Sequence, residues 1–380
     1  MTAIRPFRFD IADDDLADLR QRLKETRWPE RETPADWSQG VPLAYLREVC
    51  EYWRTGYDWR RCETALNALP QFITAIDGLD IQFIHLRSRH ENALPMIMTH
   101  GWPGSVIEFL KVIGPLADPT AHGGSAADAF HVVCPTLPGF GFSGKPAARG
   151  WDVARIARAW GELMARLGYD RYVAQGGDWG SIVAHDMATT QTAHCAAIHV
   201  NLPWLSPSEA LLQDPDEVER SALAAMQNYM EWDMGYAKQQ ATRPQTIGYG
   251  LADSPAAQCA WILEKFWGWT DCDGHPEKAL TRDEMLDDIM MYWLPCAGAS
   301  SARLYWESFA GLFAPKPRIG IPVGVTVFPK ETFRASKRWC EERYLKLVHF
   351  NTPARGGHFA AFEQPAILVD EVRACFRQLR

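Results

Sequence analysis

The sequence predicts an α/β fold: a mostly parallel central sheet flanked by helices, with a helical lead-in before it and a helical cap inserted within it. Three observations point there. Strand-like apolar runs alternate with helical stretches between Phe72 and Val200, the pattern of βαβ units. After Leu205 the alternation stops for about 110 residues of helical, Trp-, Tyr- and Met-rich sequence, then resumes at Ile321. Before Pro70 helical periodicity occurs without strand alternation.

Taken in order, the lead-in opens with a helix in which Leu16, Leu19 and Leu23 recur at helical spacing, capped by Asp13 or Asp14 and stopped by Pro29. A second helix runs from about Pro42 to Tyr57. Phe72 to Ile76 and Leu79 to Leu86 read as paired strands across the turn Asp77-Gly78. Leu94 to Thr99, Phe130 to Pro135 and Arg171 to Gln175 follow as strands, and a helix before the last of them carries Val153, Ile156, Trp160 and Leu163 on one face. Ala196 to Val200 is a further strand. Beyond the cap, Ile321 to Phe328 and Leu345 to Phe350 are strands, and a helix spans Ala366 to Arg377. This divides the chain into an N-terminal helical region wrapping the core (1–70), a first core segment (71–205), the cap (206–315) and a second core segment (316–380).

Composition narrows the function. With 47% hydrophobic and 23% charged residues, the 380-residue chain has the balance of a globular protein with a substantial core. A formal charge of -8 argues against nucleic acid, because phosphate binding needs a concentrated basic face. Nine cysteines, scattered without a C-x-x-C pair, fit reduced thiols in the cytoplasm better than a disulfide framework or a zinc site. The start, Met1 to Pro6, has no apolar leader region, and no run of about 18 apolar residues occurs, so neither export nor a membrane span is expected.

The chemistry centres on Gln175-Gly176-Gly177-Asp178-Trp179-Gly180, placed after a predicted strand and before a helix expected to begin near Ser181. This is the nucleophile-elbow frame of the α/β-hydrolase fold, small-x-nucleophile-x-small, with a carboxylate where esterases carry serine. A carboxylate needs no base to activate it, and its attack at carbon gives an ester. Gly176 and Gly180 stand where a Cβ would clash. The plainer alternative is that Asp178 only caps the next helix. His100-Gly101-Trp102-Pro103-Gly104-Ser105 follows the strand Leu94 to Thr99, where this fold draws one oxyanion-hole N–H. The backbone N–H groups of Trp102 and Trp179 are therefore the expected donors, and His100 is expected to hold the loop. Gly356-Gly357-His358-Phe359 follows the last strand and gives His358, chosen among 11 histidines by its place late in the chain on a glycine-supported loop, as the base. Its acid partner should lie after the resumed strand, where Phe328-Pro329-Lys330-Glu331 offers Glu331. Gly139 to Gly144 satisfies G-x-G-x-x-G, but Lys145-Pro146 breaks the helix a dinucleotide site requires, so it reads as a turn beside the site. No cofactor or metal motif is found.

These motifs, with Pro6-Phe7, Leu19 to Leu23, Arg27-Trp28-Pro29, Leu137 to Ser143 and Arg355 to Glu363, resemble the microsomal-type epoxide hydrolases over nearly the whole chain. The resemblance implies Asp178 as nucleophile, His358 as base, Glu331 as its partner, and an epoxide substrate converted to a vicinal diol without cofactor or metal. It also implies two cap tyrosines that donate to the epoxide oxygen, matching Tyr236 in Met234-Gly235-Tyr236-Ala237 and Tyr305 in Arg303-Leu304-Tyr305-Trp306-Glu307, with Tyr229 and Tyr249 as alternatives for the first. Animal members carry an N-terminal membrane anchor, whereas this chain starts without one, which implies a soluble enzyme. Trp232, Trp261, Trp267, Trp269, Trp293 and Trp306 of the cap suggest a bulky or aromatic epoxide, met in detoxification or secondary metabolism. A homodimer is compatible with all of this. Two rivals share the fold. A haloalkane dehalogenase would use the same Asp and His but needs halide-binding donors, and a non-catalytic small-molecule binder would keep the pocket without needing the full set.

Overall fold

Nine strands join into one sheet among residues 3–380, the part of the chain that the computed structural model describes; Met1 and Thr2, the start of the segment read above for a leader, lie outside it. In chain order they are β1 (Arg5–Pro6), β2 (Gln71–Ile76), β3 (Leu79–Leu86), β4 (Leu94–Thr99), β5 (Phe130–Pro135), β6 (Tyr172–Gly176), β7 (Cys195–Val200), β8 (Val323–Thr326) and β9 (Leu347–Asn351). The spatial order is β1-β2-β3-β5-β4-β6-β7-β8-β9. β1 to β3 are antiparallel to their neighbours, and every pairing from β5 through β4 to β9 is parallel. The central strands are apolar because helices cover them: Met96, Ile97 and Met98 of β4 are all fully buried, so neighbouring side chains on both faces meet protein.

Helix Val153–Arg166 buries Val153, Ile156, Trp160 and Leu163 and packs with helix Asp178–Thr190, while Leu110–Ala117 pairs with Pro365–Phe376. The cap supplies seven helices between Glu209 and Leu312 among the described residues. The N-terminal helices Asp13–Lys24, Leu43–Thr55 and Trp59–Asn67 touch that cap through polar bonds. Tyr52 and Tyr57 donate to Asp283 and Asp287 (both 2.7 Å), Tyr45 donates to Glu277 (2.9 Å), and Arg61 pairs with Asp287 (2.7 Å). No described helix is long and apolar enough to cross a membrane.

Several expectations need amendment. Neither Asp13 nor Asp14 caps the first helix: its N-cap is Ala12, and Asp13, Asp14 and Asp15 occupy the first turn, where the helix dipole favours negative charge. That helix ends at Lys24, ahead of Pro29. A strand does precede Pro70, for Arg5 and Pro6 pair with Ile73 and Phe72 at the sheet edge, where a proline without N–H is tolerated. The helix after the elbow begins at Asp178, not near Ser181. Asp77 and Gly78 both adopt positive φ, the two-residue turn that the hairpin reading required.

The parallel register aligns the ends of the strands. Thr99 of β4 pairs with Gly176 of β6, Gly176 with Val200 of β7, Val200 with Val325 of β8, and Val325 with Phe350 of β9. Loops leaving these carboxyl ends therefore emerge side by side, where α/β sheets place ligands. The helix Asp178–Thr190 starts so close to the sheet that a Cβ on Gly180 would overlap the Thr99 carbonyl, and one on Gly176 would overlap the Gly180 backbone. Both obstacles are main chain and cannot rotate away. Gly180→Ala is expected to cost at least about 3 kcal/mol in thermal denaturation. Gly268→Ala, in helix Pro255–Trp269 with open space around the added methyl, should be neutral or stabilising by up to about 1 kcal/mol. Equal melting temperatures for the two variants would refute the close-approach argument.

Candidate active site

Asp178 is one of four non-glycine residues at positive φ among those described, with φ 48°. The helix cap is Gly177, so Asp178 does not perform the capping role that was the plainer reading. Its carboxylate turns to the neighbouring loop instead, where the Trp102 N–H donates to Oδ1 at 2.7 Å. A Cβ on Gly101 would overlap that carboxylate, so the loop can approach only because residue 101 lacks a side chain. Trp179 lies in the first helical turn, where backbone N–H groups have no acceptor within the helix. His100 is buried beneath the loop. Its Nε2 accepts from the Leu137 N–H (3.2 Å), which leaves Nδ1–H to donate to the Gly101 carbonyl (2.9 Å). Burial pushes this imidazole down to about 4, as suits a neutral structural group.

A short parallel bridge between Lys330 and Gly357 ties the loop after β8 to the loop after β9, so the next residue of each, Glu331 and His358, stand together. His358 Nδ1 meets Glu331 Oε1 at 2.7 Å, and its Nε2 lies 3.5 Å from Asp178 Oδ2. Thr332 also donates to Glu331 Oε1 from its N–H (2.7 Å) and hydroxyl (3.0 Å). Burial alone would lower His358, but Glu331 and Asp178 outweigh it and hold the imidazole well above its usual range.

The cap lowers three tyrosines onto this group. Tyr236 and Tyr305 line one apolar cavity together with Asp178 and His358, and so does Tyr229. Tyr249, 69% exposed, is nowhere near it. The Trp102 indole stacks on Tyr236 (4.7 Å, 10°) and meets Tyr305 edge-on (5.9 Å), while Trp179 meets Tyr305 at 4.8 Å. The rest of the wall is Ile182, Leu202, Trp204, Met234, Trp269, Phe309, Leu312, Thr332 and Phe333. Of the six cap tryptophans named from sequence, only Trp269 belongs to it; Trp232 is 79% exposed. Trp261 and Trp293 pack against the core elsewhere and Trp267 stacks on Trp37, a distinction that composition cannot make. The G-x-G-x-x-G segment is indeed a turn, closed by Gly139 N–H to the Gly144 carbonyl (2.9 Å) and anchored to the cap by the Ser300 hydroxyl on Gly139 O (2.6 Å).

A second cavity of mixed polarity shares the same two residues. Asp178 and His358 line both, and the second adds Glu108, Gln175 and Asn201. Sequence reading missed these three; the only signal for Glu108 was its place in the turn that follows His100 to Ser105. Burial and the nearby Asp288 push Glu108 well above the usual carboxylate range. Asp288, on helix Arg282–Trp293, accepts from the Ser105 hydroxyl at 2.7 Å, and Tyr292 of the same helix donates to the Gly104 carbonyl at 2.7 Å. The cap thus pins the loop that holds Asp178. Burial raises Asp288 to about 8 and Glu363, under His358, to about 7.

Known proteins resemble this arrangement closely. The family profile described as "Epoxide hydrolase N terminus" matches residues 4–109, and that described as "alpha/beta hydrolase fold" matches residues 95–243. A protein of Stigmatella aurantiaca that bears a provisional epoxide hydrolase name is 59% identical over 99% of this chain and 86% of its own length. Epoxide hydrolase 1 of Sus scrofa is 36% identical over 98% of this chain and 88% of its own. The solved structure of Aspergillus niger epoxide hydrolase superposes with a TM-score of 0.90 at 33% identity, covering 100% of this chain and 97% of that one.

The raised Asp288 predicts a pH effect on stability. An ordinary aspartate ionises near pH 4, so between about 4 and 8 the folded chain keeps a proton at Asp288 that the unfolded chain has lost. Stability at this group therefore falls as pH rises through that window. Asp288→Asn should melt close to the wild type near pH 4 and gain on it progressively towards pH 8. A constant difference across the range would show that Asp288 is ionised in the fold.

Proposed function

Because this chain belongs to the epoxide hydrolases, a family of the α/β-hydrolase fold, we propose that it performs their reaction with Asp178 as nucleophile, His358 and Glu331 as base and partner, and Tyr236 and Tyr305 as hydrogen-bond donors to the epoxide. One observation carries the assignment: Asp178 and His358 line both an apolar cavity with tyrosine hydroxyls and a second cavity that adds the carboxyl of Glu108 and the amides of Gln175 and Asn201. A neutral, strained ether fits the first and water the second.

In this reading Asp178 Oδ2 attacks a ring carbon while Oδ1 stays on the Trp102 N–H. The carbon–oxygen bond of the ring breaks, and the leaving oxygen takes a proton from a tyrosine. The product is a hydroxyalkyl ester of Asp178. Ester formation removes the carboxylate charge 3.5 Å from His358, one of the two charges that keep the imidazole protonated. The imidazolium proton then passes to the tyrosinate, and the neutral ring takes a proton from a water that attacks the ester carbonyl. Negative charge grows on Oδ1, which the N–H groups of Trp102 and Trp179 receive. The intermediate then collapses by breaking the bond from the ester carbonyl carbon to the alkyl oxygen, which takes the remaining hydroxyl proton as the diol leaves. Asp178 is again a carboxylate and His358 again protonated, so the reaction consumes one water and no net proton. Losing one such N–H donor typically costs about 2.7–4 kcal/mol.

The substrate side is argued from the cavity wall. The cavity is bounded by aromatic and aliphatic side chains, which supports an apolar or aromatic epoxide such as detoxification or secondary metabolism would present. Nine free cysteines support a reducing, cytoplasmic setting. The exposed apolar Val218, Met230 and Trp232 of the cap support a homodimer.

Two measurements test the mechanism. In heavy-oxygen water a single turnover should label a peptide containing Asp178, and His358→Gln should accumulate the ester; label found only in the first diol, or ester cleared at the wild-type rate, would refute the nucleophile or the base. In Asp178→Asn, which mimics the loss of charge on esterification, NMR titration should find His358 titrating lower than in the wild type. An unmoved His358 would show that Asp178 does not control its proton.

A further inference from the structure

Tyr229 belongs to the cavity but to none of the roles above. Its hydroxyl lies 2.8 Å from that of Tyr236, in a buried contact, and is its only hydrogen bond among the described residues. Its ring packs against Phe333 (5.0 Å) and Trp269 (6.5 Å), contacts that a phenylalanine would make equally well. The hydroxyl is therefore what distinguishes a tyrosine here, and it serves Tyr236 alone.

The backbone is shaped to bring the two together. In a continuous α-helix, residues seven apart share a face but stand about 10 Å apart along the axis. Here Tyr229–Asp233 forms a π-helical turn, closed by the Met234 N–H on the Tyr229 carbonyl at 2.8 Å, and a new helix, Gly235–Thr242, starts from Met234. Such turns are rare and recur at functional sites. Tyr236 has further company: Trp102 stacks on its ring, and the ammonium of the buried Lys265 lies 4.7 Å from the ring centroid.

We propose that Tyr229 is a positioning residue for Tyr236: it donates its hydroxyl proton to the Tyr236 oxygen, so that Tyr236 can aim its own proton at the epoxide and carry negative charge once that proton has gone. This rests on the reading of Tyr236 as a donor to the epoxide. The need is electrostatic. Burial pushes both phenols above their usual range, so a lone Tyr236 would resist losing its proton. A second hydroxyl bonded to the same oxygen disperses the charge, and the Lys265 ammonium acts in the same direction. Atoms balance simply: the Tyr236 proton goes to the oxygen released from the ring, and the Tyr229 proton remains on Tyr229 as a hydrogen bond to the tyrosinate. Tyr305, held by Trp102 and Trp179 and itself in hydrogen-bond contact with Tyr236, then serves to orient the epoxide oxygen.

The test is a double-mutant cycle on ester formation, measured in single turnovers with styrene oxide in a His358→Gln background that retains the ester. Tyr229→Phe is expected to slow ester formation roughly tenfold, the size of effect expected when a hydrogen bond to a charged oxygen is lost. With His358 restored, hydrolysis of the ester should proceed at the wild-type rate, which a general packing defect would not spare. Tyr229→Phe/Tyr236→Phe should form ester no more slowly than Tyr236→Phe alone, whereas Tyr229→Phe on a Tyr305→Phe background should keep its full effect. Wild-type ester formation in Tyr229→Phe, or an undiminished effect on top of Tyr236→Phe, would overturn the proposal while leaving Tyr236 as donor. Wild-type ester formation in Tyr236→Phe would remove both.

Discussion

The geometry of the site hangs on one hydrogen bond, from the Trp102 N–H to Asp178 Oδ1 at 2.7 Å. It joins two loops that leave adjacent parallel strands, and it holds Asp178 in a left-handed backbone that an aspartate tolerates better than most residues but does not prefer. Gly101, Gly176 and Gly180 remove the side chains that would otherwise separate these segments. The pair also decides which carboxylate oxygen is which. Oδ1 is fixed on the N–H and Oδ2 is left towards His358, so in the proposed reaction a carboxylate that would otherwise rotate attacks with a defined leading atom.

Both tryptophans beside Asp178 have two functions at once. Through its backbone Trp102 binds the carboxylate; through its indole it packs on Tyr236 and Tyr305. Trp179 follows Asp178 in the chain and packs its indole on Tyr305. In the proposed reaction, the groups that would receive charge from the ester and those that would receive charge from the ring oxygen are thus braced by the same two residues. Displacing either indole would then disturb both halves of that reaction, although neither side chain needs to react.

The core of this arrangement was legible in the sequence, and the reason is local. β4 and β5 were read with the bounds they have, because parallel strands buried on both faces are written as short unbroken apolar runs between turn residues. Asp178, His358 and Glu331 stood out because each follows such a strand at its carboxyl end, where position alone carries information. The cap was different. Its helices bury residues all round, so the sequence announces helices but not which face looks inward, and five of the six tryptophans taken as lining face elsewhere. Tyr236 and Tyr305 came from family resemblance, not from spacing. The edge strand Arg5–Pro6, two residues long and exposed, has no pattern to read. Glu108 was invisible for a further reason, its neighbour Asp288 being far away in sequence, and Tyr229 was named only as an alternative to Tyr236, because the two meet across a π-turn that no periodicity encodes.

What makes the cap part of the active site, and not merely a cover, is that its helices are held from behind. Helix Arg282–Trp293 binds the Asp178 loop through Asp288 on Ser105 and Tyr292 on the Gly104 carbonyl. The outward side of that same helix is gripped by the N-terminal region, with Tyr52 on Asp283, and Tyr57 and Arg61 on Asp287. A neighbouring aspartate pair, Asp287 and Asp288, therefore faces two ways along one helix, one carboxyl to each partner. Polar bonds of this kind contribute modestly to stability one at a time, but they are directional, so they fix where the helix sits in a way that apolar packing alone does not. The N-terminal helices, which contribute no side chain to either cavity, act on the chemistry by fixing the helix that fixes the loop.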